Sequence, residues 1–528
     1  MDYEAGRAIQ EGHTYLGIKL GSSKISATLI DLDYNVIASG AQSWESRLED
    51  GVWIYDLDDM WADLEVCFAR LCTDVLSRYG LPLTTTGCIG VSATMNGYLP
   101  CNRDGHRLTP FRTWRNTNTE EAAGRLSEAF GLNIPQRWSV THLYQAILNG
   151  ETHIYELARL NTLAGYVHER LTGHSVLGIC DASGMFPVDG QTYDAKMLET
   201  FDALVAPHNM DWKLSDLLPR VLTAGEAAGS LTPEGARLLD LKGNLQPGIP
   251  FCPPEGDLGT GMVAANSVAE RMGNLSAGTS LYASVVLERP LSVSRPEIDI
   301  VATPDGKPAA VIHCNNCTAD LDAWISLFHE VIEITGATVS PAALYNAFYQ
   351  KALEDGADDG GLLSYNYVSG EPMTGVNRGR PLLARLPDSR LTLPAFARTI
   401  LYSTVATLRL GMDALAAGQV RVDRMTGHGG LFKTGETGQR LSATALNLPV
   451  TILSTAPGDA WGAALLAAYH SQKIAGETLE DFLSQRVFAN ISSKCLSPDP
   501  KDVRSFSAYM ERFKNGLPLA RSAAEHIR

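Results

Sequence analysis

Two stretches of this chain are built on one plan, and that repetition limits the fold more than any single motif does. Tyr15 to Leu20 is a short apolar run that breaks at Gly21-Ser22-Ser23. Ile25 to Ile30 then alternates in polarity as far as the turn-rich Asp31-Leu32-Asp33-Tyr34-Asn35, and Val36-Ile37-Ala38 follows. Apolar alternation between such punctuation reads as strand, loop, strand, turn, strand. In the second half, Gly273-Asn274-Leu275-Ser276-Ala277-Gly278-Thr279-Ser280 places another small-residue loop between two strand-like runs. Glycine turns in matching places in the two halves predict a duplicated α/β unit.

Other segments extend the pattern. Between Asp56 and Gly80, Leu57, Trp61, Leu64, Phe68, Leu71 and Val75 recur in steps of four and three, which lines one helical face. Asp56 can cap that helix and Gly80 can end it. Cys88 to Ser92 reads as a strand directly after it. Later, Pro308 to His313 and Val450 to Leu453 read as strands, while Ala319 to Thr335, Ala397 to Leu415 and Ala460 to His470 read as helices. A glycine loop, Gly427-His428-Gly429-Gly430, precedes the last strand. At 528 residues, 45% hydrophobic, the chain is too long for one core and too apolar for a disordered tail. Its boundary is placed near residues 258 to 272. The expected division is an N-terminal domain over 14–265, a C-terminal domain over 266–475 and a helical appendage over 476–528.

Charge and cysteine usage narrow the partners. The 43 Lys and Arg stand against 59 Asp and Glu, a formal net charge of -16, whereas binding a phosphate backbone needs clustered positive charge, so nucleic acid is excluded. The opening MDYEAGRAIQEGHTY is polar and of mixed charge, and no apolar stretch approaches the roughly 18 residues of a membrane span. A cytoplasmic protein with no membrane partner is expected. Nine scattered Cys lack the density of a disulfide scaffold, and Cys314-Asn-Asn-Cys317, without a second Cys or His pair, reads as buried thiols rather than a zinc site.

Three glycine-bearing loops, at residues 21–23, 276–280 and 427–430, each follow a strand-like run. Gly lets backbone N–H groups approach phosphate oxygens, and Ser or Thr hydroxyls add donors. Any one such loop in a chain with 48 Gly can be a plain turn; three, in two like-built halves, point to a nucleotide. The tract Pro253-Pro254-Glu255-Gly256-Asp257-Leu258-Gly259-Thr260-Gly261 places Asp257 between glycines at the expected domain junction. Phosphoryl transfer to an alcohol needs a carboxylate near the reacting hydroxyl, which makes Asp257 the candidate base; the bland alternative is an Asp that satisfies its own turn. Thr94-Met95-Asn96-Gly97-Tyr98 and Trp114-Arg115-Asn116-Thr117-Asn118 offer amides, hydroxyls and aromatic faces suited to a polyol. Their alternative roles are core for Met95 and Trp114, and turn for Asn116 and Asn118.

Taken together these residues resemble the FGGY family of carbohydrate kinases, over about residues 14 to 475. The resemblance lies in Leu16 to Ser23, Trp53 to Trp61 with Asp56, Ser92 to Gly97, Trp114 to Asn118, Asp181-Ala182-Ser183-Gly184, the tract ending in Asp257, Ser276 to Ser280 and Gly427 to Gly430, in that order. Pro110 to Ala122, Ile134 to Gly150 and His313 to Cys317 are most similar to a bacterial branch associated with L-ribulose phosphorylation.

The resemblance implies an α/β fold of two RNase-H-like domains of the actin, Hsp70 and sugar-kinase type around a central cleft. It implies ATP-dependent phosphorylation of a ketopentose, L-ribulose first and D-xylulose second, at a terminal hydroxyl, with Asp257 as general base. Thr94, Met95, Asn96, Trp114, Asn116 and Asn118 would meet the sugar. Gly21, Ser22, Ser23, Gly278, Thr279 and Ser280 would meet the phosphates, and Gly429 and Gly430 the adenosine. Mg²⁺ is expected with ATP, with no protein ligand assigned, and a homodimer is compatible with the family. Lys19 stands where the family carries an acidic residue at the metal site, and a charged Lys cannot ligate a cation. That departure supplies the alternative expectation, a non-catalytic sugar or nucleotide sensor. Asn96, Asn116 and Asn118 replace the family's His, Asp and Arg and so alter the hydrogen bonds a sugar would meet.

Overall fold

The computed structural model describes residues 2–278, 280–291, 294–354, 359–376, 378–433, 435–454 and 460–527. The chain divides into two units. One comprises Met1–Ala269, Ile300–Ala309 and Thr455–Ile491; the other comprises Glu270–Asp299, Ala310–Ser454 and Ser492–Arg528. The expected division into contiguous segments differs from this, because two later segments return to the first unit and the tail from Ser492 joins the second instead of standing as a separate appendage.

In the first unit, β1 (Tyr15–Leu20) turns tightly into β2 (Lys24–Ile30), which pairs with β3 (Val36–Ser43). Helix α1 (Leu57–Tyr79) follows, then β4 (Cys88–Ala93) parallel to β1, and much later β5 (Glu255–Gly256) parallel to β4. The sheet order is β5-β4-β1-β2-β3. Helix α1 begins and ends as its sequence predicts. The Asp56 carboxylate accepts from the Asp58 and Asp59 amides, and Gly80, at φ 68°, donates its N–H to Leu76 O. Its buried face carries Leu57, Met60, Trp61, Leu64, Phe68, Leu71 and Val75, all part of one apolar core.

The second unit repeats this order. β6 (Met272–Ala277) pairs antiparallel with β7 (Leu281–Val286), beside which lies β8 (Pro308–Cys314). β9 (Arg424–His428) is parallel to β6, β10 (Val450–Leu453) is parallel to β9, and β11 (Ser493–Leu496) closes the edge against β10. Omitting β11 and the strand Asp299–Ala302 at the opposite edge, the order β10-β9-β6-β7-β8 matches the first unit strand for strand. Residues 273–277 and 427–428 are strand rather than loop, so the two predicted loops begin only after Ala277 and after His428. Among the described residues no helix is long and apolar enough to cross a membrane.

Side-chain volume decides what covers the first sheet. Gly17 on β1 and Gly90 on β4 are register partners and face the same side. A Cβ at Gly17 would lie 2.2 Å from Ala460 O, and one at Gly90 would lie 2.3 Å from Ala463 O. The helix Trp461–Gln472 therefore rests directly on the strand backbones, a packing only glycine permits. Gly17→Ala is expected to destabilise the protein by about 3 kcal/mol, the upper part of the usual overpacking range, read as a lowered thermal midpoint with the far-UV spectrum retained at low temperature.

Candidate active site

Register brings three chain segments to one level in the first unit. Leu20 pairs with Ala93, and Ala93 with Gly256, so the residues that follow, Gly21, Thr94 and Asp257, leave the sheet together at the carboxyl ends of parallel strands. That edge is where open α/β sheets place their ligands. The Thr94 amide donates to Leu20 O at 2.9 Å, which ties the second segment to the first. The Met95 amide donates to Asp257 Oδ1 at 3.2 Å, which ties it to the third. Asp257 opens helix α4 (Asp257–Ala264), is half-buried, and has no partner for Oδ2 among the described residues. Asn96 sits at φ 73°, with Oδ1 buried and unpaired.

The first loop is held by its carbonyls. Trp44 Nε1 donates to Gly21 O at 2.6 Å, Tyr55 OH to Ser22 O at 3.0 Å, and the Trp44 amide to Ser23 O at 3.2 Å. The two rings stack with centroids 4.1 Å apart. No described residue accepts from the amides or hydroxyls of Ser22 and Ser23, both exposed. A loop braced through its acceptors while its donors stay open is suited to an anion. Sequence reasoning missed Trp44 and Tyr55 as supports, since neither stands in a glycine motif.

Not every predicted contact joins this edge. The Asn116 amide is spent on backbone: Oδ1 accepts from the Trp53 amide at 2.8 Å, and Nδ2 donates to Trp53 O at 2.8 Å and Thr113 O at 2.9 Å. It braces a turn, the alternative role considered for it. Asn118 is exposed, and Trp114 is half-buried. Between them Arg115 lies over the Trp53 ring at 4.0 Å and donates to Ser46 Oγ at 3.0 Å. The Gly97–Tyr98 segment is secured by Tyr98 N to Arg112 O at 2.9 Å and by Ser139 Oγ to Gly97 O at 2.6 Å.

Two carboxyls that sequence reasoning quoted without a role lie nearby. Asp181 and Glu255 are both buried. Burial pushes Asp181 up to about 7, a bond from Thr162 opposes the rise, and the charge of Asp257 adds to it. Burial likewise holds Glu255 well above the usual carboxylate range, with the charge of Asp181 as the next cause.

In the second unit the two candidate nucleotide loops adjoin. Ser276 pairs with His428, so Ala277 and Gly429 follow at one level. Gly429, at φ 99°, rests on the backbone of Ala277, where a Cβ would lie 2.5 Å from Ala277 O. Gly278 donates to Ser280 O at 2.9 Å, and its carbonyl accepts from Thr318 Oγ1 at 3.1 Å. Gly430 is exposed, and Thr279 lies outside the described residues. Among the described residues no group of three or more His, Cys, Asp or Glu could hold a metal ion. Lys19, on β1, offers no ligand to Mg²⁺, an ion that in phosphate sites takes one or two carboxylates together with the substrate's phosphates.

Two like-built units with small-residue loops at parallel strand ends are the architecture of the actin, Hsp70 and sugar-kinase fold class. Solved structures agree on that fold. Gluconate kinase from Lactobacillus acidophilus superposes with TM-score 0.79 at 16% identity, covering 97% of this chain and 99% of that one. Ligand-bound xylulose kinase from the same organism gives 0.78 at 15% identity, covering 98% and 100%. The N-terminal domain model of the FGGY family of carbohydrate kinases matches residues 14–263, and the C-terminal domain model matches residues 273–471. This chain belongs to that family and is a carbohydrate kinase. It is 22% identical to the xylulose kinase of Haemophilus influenzae over 443 residues, 81% of this chain and 84% of that protein. It is 23% identical to a ribulokinase of Shouchella clausii over 404 residues, 75% and 70%.

Trp44→Phe keeps a ring against Tyr55 but removes the bond to Gly21 O. A hydrogen bond of about 1 kcal/mol corresponds to about a fivefold fall in kcat/KM for the nucleotide, with the thermal midpoint little changed, as steady-state kinetics and a melting curve would record.

Proposed function

We propose that the chain transfers the γ-phosphoryl group of ATP to the terminal hydroxyl of a ketopentose, L-ribulose ahead of D-xylulose, with Asp257 as general base. The observation that carries this reading is the placement of Asp257: at the end of a parallel strand, one oxygen held by the Met95 amide and the other open. A carboxylate oriented in this way can accept the hydroxyl proton as the sugar oxygen attacks phosphorus. The Thr94–Asn96 segment, bonded to both neighbouring segments, is the part of the first unit best placed to meet the sugar. Open donors at Ser22 and Ser23 favour phosphate oxygens, as does the Gly278–Gly430 pair of loops in the second unit. Relatives named xylulose kinase and ribulokinase support a pentulose as acceptor. Nothing in the comparisons favours the sensor alternative.

The test is ADP release with MgATP across L-ribulose, D-xylulose, D-ribulose and glycerol. Stimulation is expected to be greatest with L-ribulose; no stimulation by any of them would defeat the reading. Asp257→Asn is expected to lower kcat by about 10²- to 10⁴-fold with the fold retained, the usual contribution of a general base. Unchanged turnover in that variant would remove Asp257 from the role.

A further inference from the structure

The first unit buries acids beneath Asp257 without a cation to match them. Asp181 lies on the short helix α3 (Ile179–Ser183) and is fully buried. Its Oδ2 accepts from Thr162 Oγ1 at 2.5 Å, while Oδ1 has no partner. Thr162 Oγ1 also accepts from the Gly165 amide at 3.0 Å, so its one proton is fixed toward Asp181. The unpaired Oδ1 lies under the peptide that carries Asp257: a Cβ at Gly256 would be 3.2 Å from it and 3.0 Å from Met95 Cγ. Glu255, two residues before Asp257, accepts from the Asp181 amide at 3.0 Å and the Cys180 amide at 3.4 Å.

The groups around Asp181 can be named element by element. Glu255 faces it from β5, Asp257 from α4, Thr162 from the start of the helix Leu163–Thr172, Cys180 from its own helix, and Tyr193 from the strand Thr192–Tyr193. Asp189 and Arg220, on strands packed beside α3, are exposed. Among the described residues no Lys or Arg pairs with any of the three carboxyls. With no cation paired to them, burial and mutual repulsion hold Asp181 and Glu255 above the usual carboxylate range.

We propose that Asp181 is a positioning residue for the transfer reaction, acting through Asp257: its buried carboxyl, with Oδ1 unpaired beneath the Gly256 peptide, sets the charge behind the base. Loss of the Asp181 proton places a negative charge behind Asp257 and strengthens its hold on the incoming hydroxyl proton. The rise of Asp181 to about 7 through burial places this step at neutral pH.

The inference rests on the proposed kinase reading, and the experiment separates the two. The pH dependence of kcat/KM is measured for the wild type, Asp181→Asn, Thr162→Ala and Thr162→Ser with the preferred sugar. The wild type is expected to show two limbs, the upper near neutrality. Asp181→Asn is expected to lose the upper limb and keep the lower. Thr162→Ala, which removes a bond favouring the ionised form, is expected to move the upper limb up by about one pH unit, and Thr162→Ser to leave it in place. An upper limb that survives in Asp181→Asn overturns the proposal. Should Asp181→Asn fail to fold, an unmoved limb in Thr162→Ala does so instead. Infrared titration of the intact protein gives a readout independent of turnover: a protonated-carboxyl band that disappears near neutral pH and shifts in Thr162→Ala. If the wild type phosphorylates no sugar yet shows this band, the kinase reading fails and the buried charge of Asp181 stands; without the band that fails too.

Discussion

Parallel register is the constraint on which the candidate site depends. Because Leu20, Ala93 and Gly256 are aligned across three strands, Gly21, Thr94 and Asp257 leave the sheet at one level although they are distant in sequence. A slip of one residue in any of these pairings would turn its side chains to the other face and carry one segment away from the rest. Two amide bonds, Thr94 to Leu20 O and Met95 to Asp257 Oδ1, lock that level. The second unit applies the same rule through Ser276 and His428, which set Ala277 against Gly429. Duplicated topology thus has a chemical consequence: each unit presents small-residue loops at the carboxyl ends of neighbouring parallel strands, where open N–H donors and little side-chain bulk favour phosphate.

Much of this was legible in the sequence, and the exceptions share a cause. Helix α1 was readable because its stripe, its Asp56 cap and its Gly80 stop are local signals. β1 and β2 were readable for the same reason. Residues 273–277, by contrast, read as a loop, since Gly, Asn, Ser and Ala carry little strand propensity. What makes them a strand is pairing with β7 and β9, one near in sequence and one remote. The tail was separated from the second unit for a similar reason: β11 belongs there through its ladder to β10, which no local pattern announces.

The same division runs through the site. Asp257 stood out because glycines flank it, whereas Asp181 and Glu255 gain their character only from burial, which the fold imposes. Asn116 was read as a contact for a polyol, yet its amide closes three hydrogen bonds to the backbone of Trp53 and Thr113. An Asn in a polar cluster can serve either end, and only the position of Trp53 decides between them. Trp44 and Tyr55 were overlooked because their function is to hold the carbonyls of a loop to which they do not belong.

Lys19 acquires a physical meaning from the same register. It pairs with Ser92 on β4, whose hydroxyl lies 2.8 Å from Thr260 Oγ1 on α4, the helix that Asp257 opens. Gly17, two residues earlier on β1, faces the same side of the sheet, so Lys19 stands on that face close to the strand's end. Among the described residues nothing pairs with its ammonium. A positive charge one residue before the end of β1 lowers the cost of bringing an anion to the first loop. A carboxylate at position 19 would act in the opposite sense, adding repulsion that only a cation arriving with the phosphates could offset. The substitution therefore moves part of the charge compensation from the incoming nucleotide to the chain itself, which is consistent with binding phosphate and gives no physical ground for treating the loop as inert.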